Sequence, residues 1–230
     1  MRERENLGTV LFFGRNNCFY TNKLKKFLKK KSKKFYYIES LKIGETIKKK
    51  FLYFKYDYIF CFRSFYILKK NLLDKVKEAA INFHPGTPKY RGTGCVNYAV
   101  YENAKFYGCT AHLINEKVDN GKIIDVRKFL LDKKLNIKQI LEKTYILMLK
   151  QAFYIIKSLI KNKKNLNVLI KKNLKYKWSN KIKKLSDLNK FYEINLKCNI
   201  KEFKKKIRAT NTENFKPFVY LHKRKFVLSE

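Results

Sequence analysis

The 230 residues carry 55 Lys and Arg against 18 Asp and Glu, a formal charge of +37, and 45% of the side chains are hydrophobic. That apolar share supports one substantial domain with a smaller appendage and excludes wholesale disorder. The longest apolar run, 56–68, is interrupted by Asp57 and Arg63, so no membrane span is expected, and the charge-alternating start leads into no signal-type segment, which reads as cytoplasmic.

Residues 9–13 form an apolar run ending at Gly14 and predict a buried strand. Thr21 is then the expected cap of a lysine-rich helix carrying Leu24, Phe27 and Leu28 on one face. Further strands are predicted at 35–38, 56–62 and 79–83, separated by a short helix through Ile43, Ile47 and Phe51 and another over 68–76. Strand–helix alternation of this kind argues for an α/β fold with a parallel sheet covered by helices.

Beyond residue 83 the pattern changes. Residues 84–94 hold two prolines and three glycines, the composition of an ordered loop. A helix is predicted at 95–101, then strands at 107–115 and 122–131 around a turn at Asp119-Asn120-Gly121. A long helix follows, with Ile137, Leu141, Thr144, Met148, Ala152, Ile155 and Leu159 on one packing stripe. The lysine-rich stretch 161–177 is the expected boundary, dividing the chain into 1–165 and 166–230. The second part holds Trp178, a helix-like segment near 203–207 and a last apolar run, 218–228, split by His222-Lys-Arg-Lys.

Five cysteines (Cys18, Cys61, Cys95, Cys109 and Cys198) form no C-x-x-C pair and read as reduced thiols, with Cys95 and Cys109 as small core residues. With only His84, His112 and His222 available as imidazoles, no metal site is expected. The basic residues are spread over most of the chain. A nucleic-acid binder gathers its charge on one face, so nucleic acid is an open but unfavoured partner, and the excess favours acidic small substrates instead.

Two segments carry chemistry. In an open α/β sheet, ligands bind past the carboxyl ends of the strands. A strand ending at Phe83 sets Asn82 and His84 on one side of the pleat, with His84 at the mouth of such a site. The second segment, Gly108-Cys-Thr-Ala-His-Leu-Ile-Asn-Glu-Lys-Val-Asp-Asn-Gly121, runs a strand into a turn that presents Asp119. Asn, His and Asp meeting at one cleft can bind an oxyanion, move a proton and orient the imidazole.

At these residues the sequence resembles the folate-dependent formyltransferases. Their pattern of Asn-x-His-Pro, a loop ending in Arg-Gly, then Gly-x-Thr-x-His and Asp-x-Gly is present as Asn82-Phe-His84-Pro85, Tyr90-Arg91-Gly92, Gly108-Cys-Thr110-Ala-His112 and Asp119-Asn-Gly121. The spacing of 119 − 84 = 35 residues is that of the family, and the match runs from about residue 56 to 130. The resemblance implies a Rossmann-like catalytic domain, a small C-terminal helix and β-hairpin region, and N10-formyltetrahydrofolate as formyl donor, with no metal. It implies Asn82, His84 and Asp119 as catalytic residues: Asn82 for the oxyanion, His84 for the amine proton or the oxyanion, and Asp119 to hold His84. His112 is expected to shape the pocket. Lys89 and Arg91 in the loop, and Trp178 beyond the boundary, are the expected acceptor contacts.

Among the branches of the family, the chain is most similar to the sugar N-formyltransferases. Ile207-Arg-Ala209, Phe215-Lys-Pro217-Phe218 and the closing apolar run resemble that branch's C-terminal part. The expected acceptor is therefore a nucleotide-linked amino sugar. Methionyl-tRNA and phosphoribosylglycinamide formyltransferases are the alternatives, and a homodimer stays open. A non-enzymatic polyanion-binding protein on the same scaffold is the rival from another class. Two departures stand out: the N-terminal βα unit is short, and Arg63-Ser64 occupies a place where relatives carry a small residue and glycine, next to the folate pocket.

Overall fold

The computed structural model describes residues 6–212 and 215–229. In chain order the strands are β1 (Thr9–Arg15), β2 (Lys34–Ser40), β3 (Tyr56–Phe62), β4 (Val76–His84), β5 (Arg91–Gly92), β6 (Phe106–Leu113), β7 (Ile123–Leu130), β8 (Ile182–Lys183), β9 (Phe218–Leu221) and β10 (Arg224–Val227). The helices are α1 (Phe19–Lys31), α2 (Lys70–Leu73), α3 (Cys95–Tyr101), α4 (Ile137–Lys161), α5 (Asn165–Lys172), α6 (Leu185–Phe191) and α7 (Ile200–Thr210).

Six strands form the main sheet in the order β2-β1-β3-β4-β6-β7. The first four run parallel, whereas β6 is antiparallel to β4 and β7 to β6. Strands buried on both faces should read as continuous apolar runs, as β1 does over 10–13 and β3 over 58–62. Successive side chains alternate between faces, so Val10 and Phe12 meet α1 and α4 on one side, while Leu11 and Phe13 meet Leu68 and Leu72 on the other. A third apolar cluster joins α3 and the start of α4 to Ala209 of α7.

The segment after residue 165 is built into this framework. Leu169 of α5 is buried in the same cluster as Met148 and Ile155 of α4. Strand β8 pairs in parallel with β5, aligning Arg91 with Ile182 and Gly92 with Lys183. Strands β9 and β10 close a hairpin whose two turn residues, His222 and Lys223, both have positive φ.

Several predicted elements shift. Helix α1 starts at Phe19 and is capped by Cys18, whose Sγ accepts the Thr21 N–H at 3.5 Å; Thr21 itself is fully buried inside the first turn. The helix expected through Ile43, Ile47 and Phe51 reduces to a 3-10 turn at Lys49–Leu52. Gly44 adopts φ +88°, and Ile43 is exposed, so only Ile47 and Phe51 reach the core. The helix expected over 68–76 is the single turn α2, because Val76 already opens β4. Among the described residues no helix is long and apolar enough to cross a membrane.

Candidate functional site

The site grows from the pairing of β4 with β6. Antiparallel register sets Asn82 opposite His112 and His84 opposite Thr110, so these side chains share one face at the carboxyl end of β4. The loop from β6 to β7 then doubles back. Gly121 permits this, since a Cβ there would stand 1.7 Å from the Leu113 carbonyl oxygen. Asp119 takes φ +45°, a left-handed conformation that Asp tolerates better than most residues.

Asp119 is thereby delivered, buried, between two imidazoles. Its Oδ2 lies 3.3 Å from His84 Nδ1, and its Oδ1 lies 3.3 Å from His112 Nε2. The Gly92 N–H donates to Oδ2 at 2.9 Å, which ties the proline-rich loop to the same carboxylate. Asn82 Nδ2 stands 3.1 Å from His112 Nε2, and His112 Nδ1 donates to the Leu113 carbonyl at 2.8 Å. A neutral His112 ring accepts from the Asn82 amide; a charged ring donates to Asp119.

His84 differs from the expectation of a residue at an open mouth. It is 3% exposed. Its Nε2 faces the Tyr90 carbonyl at 2.8 Å and Cys95 Sγ at 3.6 Å, and the Trp178 ring presents an edge to it at 5.9 Å. With acceptors opposite both nitrogens, the ring suits the imidazolium form. Burial opposes that charge, but Asp119, Cys95 and the Tyr90 carbonyl outweigh it and raise the pKa from 6.5 to about 9. The same pairing holds the Asp119 carboxyl well below the ordinary range, against the opposing effect of its own burial.

The structure thus gathers Asn82, His84, His112 and Asp119 into one cluster, with Trp178 against it. The Trp178 N–H donates to the Gly121 carbonyl at 2.8 Å, and its ring lies 5.0 Å from that of His112. Arg91 is near, but its guanidinium is spent on protein oxygens: Ser179 O at 2.8 Å, Val118 O at 3.0 Å and Asn120 Oδ1 at 3.3 Å. Lys89 lies on the surface and pairs with Glu102 at 2.7 Å.

Beside the cluster opens a cleft of about 790 Å³, walled by Arg15, Arg63, Pro85, Cys95, Asn97 and Tyr192 among others. That volume lies in the range of small-molecule sites. Cys95 separates the two regions, since it both lines the cleft and touches His84. A smaller pocket of about 270 Å³, near Asn103 and Arg208, lies away from these residues. Sequence reasoning passed over Arg15 as a site residue; Cys95 is the buried core residue expected, and it also reaches the cleft wall. The available signal was position: Arg15 closes β1 and Arg63 directly follows β3, at the edge where open α/β sheets bind ligands. Among the described residues no His, Cys, Asp and Glu side chains group so as to hold a metal ion.

Comparison with known proteins agrees with this architecture. A family profile described as formyl transferase matches residues 19–152. Over 82 residues the chain is 30% identical to a methionyl-tRNA formyltransferase of Finegoldia magna, a match covering 35% of this chain and 26% of that protein. Over 128 residues it is 31% identical to the bifunctional polymyxin resistance protein ArnA of Wigglesworthia glossinidia brevipalpis, covering 54% of this chain and 19% of that one. The matches therefore span about a quarter or less of these relatives.

Among solved structures, a sugar N-formyltransferase from a Shewanella species superposes with a TM-score of 0.70 at 19% identity, covering 96% of both chains. An N-formyltransferase from Helicobacter canadensis, solved with folinic acid and dTDP-3-aminofucose, gives 0.66 at 20% identity over 94% of this chain and 84% of that one. At such identities the likeness is one of fold. The family match extends over more than half of the residues, and this chain belongs to the formyl transferase family.

Proposed function

We propose that the protein transfers the formyl group of N10-formyltetrahydrofolate to the amine of a nucleotide-linked amino sugar. The observation that carries the reading is Asp119 held between His84 and His112, with Asn82 alongside, next to a ligand-sized cleft. The amine nitrogen bonds to the formyl carbon, the bond from that carbon to folate N10 breaks, and the amine proton ends on N10.

In this reading His84 works as the imidazolium that Asp119 sustains, and with Asn82 it holds the oxyanion that develops on the formyl oxygen. One preorganised donor of this kind contributes about 3–4 kcal/mol. The Tyr90 carbonyl now engages Nε2. Productive binding must turn that nitrogen toward the substrate, by a shift of the loop at 85–94. Arg91 anchors the loop through its three oxygen partners, and His112 and Trp178 set the position of Asp119. A donor fits the cleft by size, with loop residues Pro85, Gly92 and Gly94 along one wall.

The sugar acceptor is supported by the C-terminal hairpin and by a superposition that runs the length of a sugar N-formyltransferase. Methionyl-tRNA is the second reading, favoured by the curated relatives of about 30% identity. Formyl transfer from N10-formyltetrahydrofolate is to be measured with nucleotide-linked amino sugars, methionyl-tRNA and glycinamide ribonucleotide as acceptors. Product from a sugar nucleotide alone supports the proposal. Product from methionyl-tRNA alone supports the second reading, and no product with any amine removes both.

A further inference from the structure

The strand order places a topological switch point between β1 and β3: from β1 the chain winds outward to β2, and from β3 it winds the other way to β4. The crevice at such a point, beyond the carboxyl ends of the strands, is where open α/β sheets bind their ligands. Here the two strand ends carry guanidiniums, Arg15 on β1 and Arg63 just after β3, and both line the cleft.

These two cations lean on each other, on a thiol and on aromatic rings. Arg15 Nε donates to the Arg63 carbonyl at 3.0 Å and its guanidinium lies 3.3 Å from the centre of the Phe65 ring. Arg63 Nη1 donates to Cys18 Sγ at 3.0 Å and its guanidinium lies 3.7 Å from the Tyr145 ring. Among the described residues no carboxylate forms an ion pair with either; Glu142, which also lines the cleft, accepts from the Tyr20 hydroxyl at 2.7 Å. Burial and the neighbouring Arg63 lower the Arg15 pKa to about 10, which still leaves Arg15 charged at neutral pH. Burial resists ionisation of Cys18, yet hydrogen bonds from Thr21 and the nearby Arg63 bring its thiol down.

The backbone is bent to the same end. Arg63 sits at φ +54°, a left-handed conformation in which glycine is at ease and a long side chain is strained. A strained arginine beside a second arginine, each stacked on an aromatic ring and facing a ligand-sized cleft, has the chemistry of a phosphate clamp. Neither Arg91, which donates to three protein oxygens, nor Lys89, which pairs with Glu102, lines the cleft; Arg15 and Arg63 are the cations that strand ends present to it, with Lys138 and Lys216 elsewhere on its wall.

We infer that Arg15 and Arg63 form an anion seat for the phosphate groups of the acceptor. The inference rests on the proposed formyl transfer and assigns the acceptor's phosphates to the β1–β3 end of the cleft, away from Arg91. The test is calorimetric titration with inorganic pyrophosphate, and separately with folinic acid, at about 0.15 M salt, where diffuse binding to surface lysines is largely screened. Arg63→Gly suits the left-handed backbone and should fold at least as well as the parent. It should weaken pyrophosphate at least tenfold and leave folinic acid within twofold, while Arg63→Lys recovers part of the loss. Arg15→Met is the second variant should Arg63→Gly fail to fold, and Lys29→Ala, on the exposed face of α1, should change nothing. Unchanged pyrophosphate binding in Arg63→Gly and Arg15→Met overturns the seat even if formyl transfer is intact. Selective loss of folinic acid also overturns it, giving the pair to the donor's carboxylates. Tenfold loss of pyrophosphate in a protein that transfers formyl to no amine leaves the seat standing and removes the catalytic reading alone.

Discussion

Two neighbouring regions of this molecule treat polar groups in opposite ways. Around Asp119 the titratable side chains are closed in: the carboxylate meets two imidazoles and a backbone N–H, and both nitrogens of His84 face acceptors. Across Cys95, the cleft is walled by guanidiniums whose partners are a thiol, a carbonyl and two aromatic rings. Dense internal satisfaction fixes geometry at the cost of access, whereas weakly satisfied charge keeps its capacity for a ligand. In the proposed reading, the first region positions groups for chemistry and the second binds.

The strongest way to break that contrast is His84→Ala. Turnover in the formyl-transfer assay should fall at least about 100-fold. Because the change strips a charge partner from a buried carboxylate, it should also cost about 3–5 kcal/mol in a denaturant melt. Turnover at the parent rate, in protein verified as folded, would take His84 out of the chemistry.

Asp119→Asn is milder on the fold. Asn also tolerates the left-handed backbone, and it keeps an oxygen to accept from Gly92. It removes the charge that sustains the His84 imidazolium, so kcat should drop by about tenfold or more while folinic acid affinity stays within a few-fold. A change confined to KM would mean that Asp119 serves binding, and the division between the two regions would then be drawn wrongly.

The ion pair should also be visible in stability against pH. Folding raises the His84 pKa from 6.5 to about 9, so the folded state holds that proton more tightly than the unfolded chain. The resulting contribution is complete below about pH 6.5 and is lost as pH climbs through about 9. The depressed Asp119 carboxyl works the other way: its contribution is complete above the unfolded value near 3.8 and fades as pH falls toward the folded one. Thermal melts of the parent minus those of Asp119→Asn should therefore differ most between about pH 4 and 6.5. A difference that grew with pH toward 9 would contradict the assignment of the proton.

The smallest effect belongs to Lys89, whose side chain is 66% exposed and pairs with Glu102, itself 41% exposed. Lys89→Ala should cost at most about 1 kcal/mol and leave acceptor binding unchanged. A tenfold loss of acceptor affinity would bring the loop lysine back into the binding region.

Much of the fold was legible because its strands are unambiguous. Residues 56–62 and 95–101 were read with the bounds the structure gives, since an apolar β-rich run and a helix opening directly after Gly94 leave little choice. The Asn82, His84 and Asp119 cluster followed from motif and spacing. What escaped were features made by tertiary contact. Cys18 caps α1, although Thr21 is the better intrinsic cap, because the chain enters from β1 with Cys18 already set against Arg63. Ile43, Ile47 and Phe51 have helical spacing, yet Gly44 turns the backbone left-handed and the segment packs as an irregular loop. The two-residue ladder of β5 and β8 joins positions about ninety residues apart, and no local pattern announces it.

That ladder also orders events in time. Every residue of the Asp119 cluster has been made once residue 119 leaves the ribosome, but Gly92, whose N–H steadies Asp119, is paired with Lys183, and Arg91 donates to the carbonyl of Ser179. Closing so long a loop comes late, after the local strands and helices have formed. A nascent chain that carries the whole motif therefore waits for some sixty further residues, as far as Lys183, before its loop is pinned.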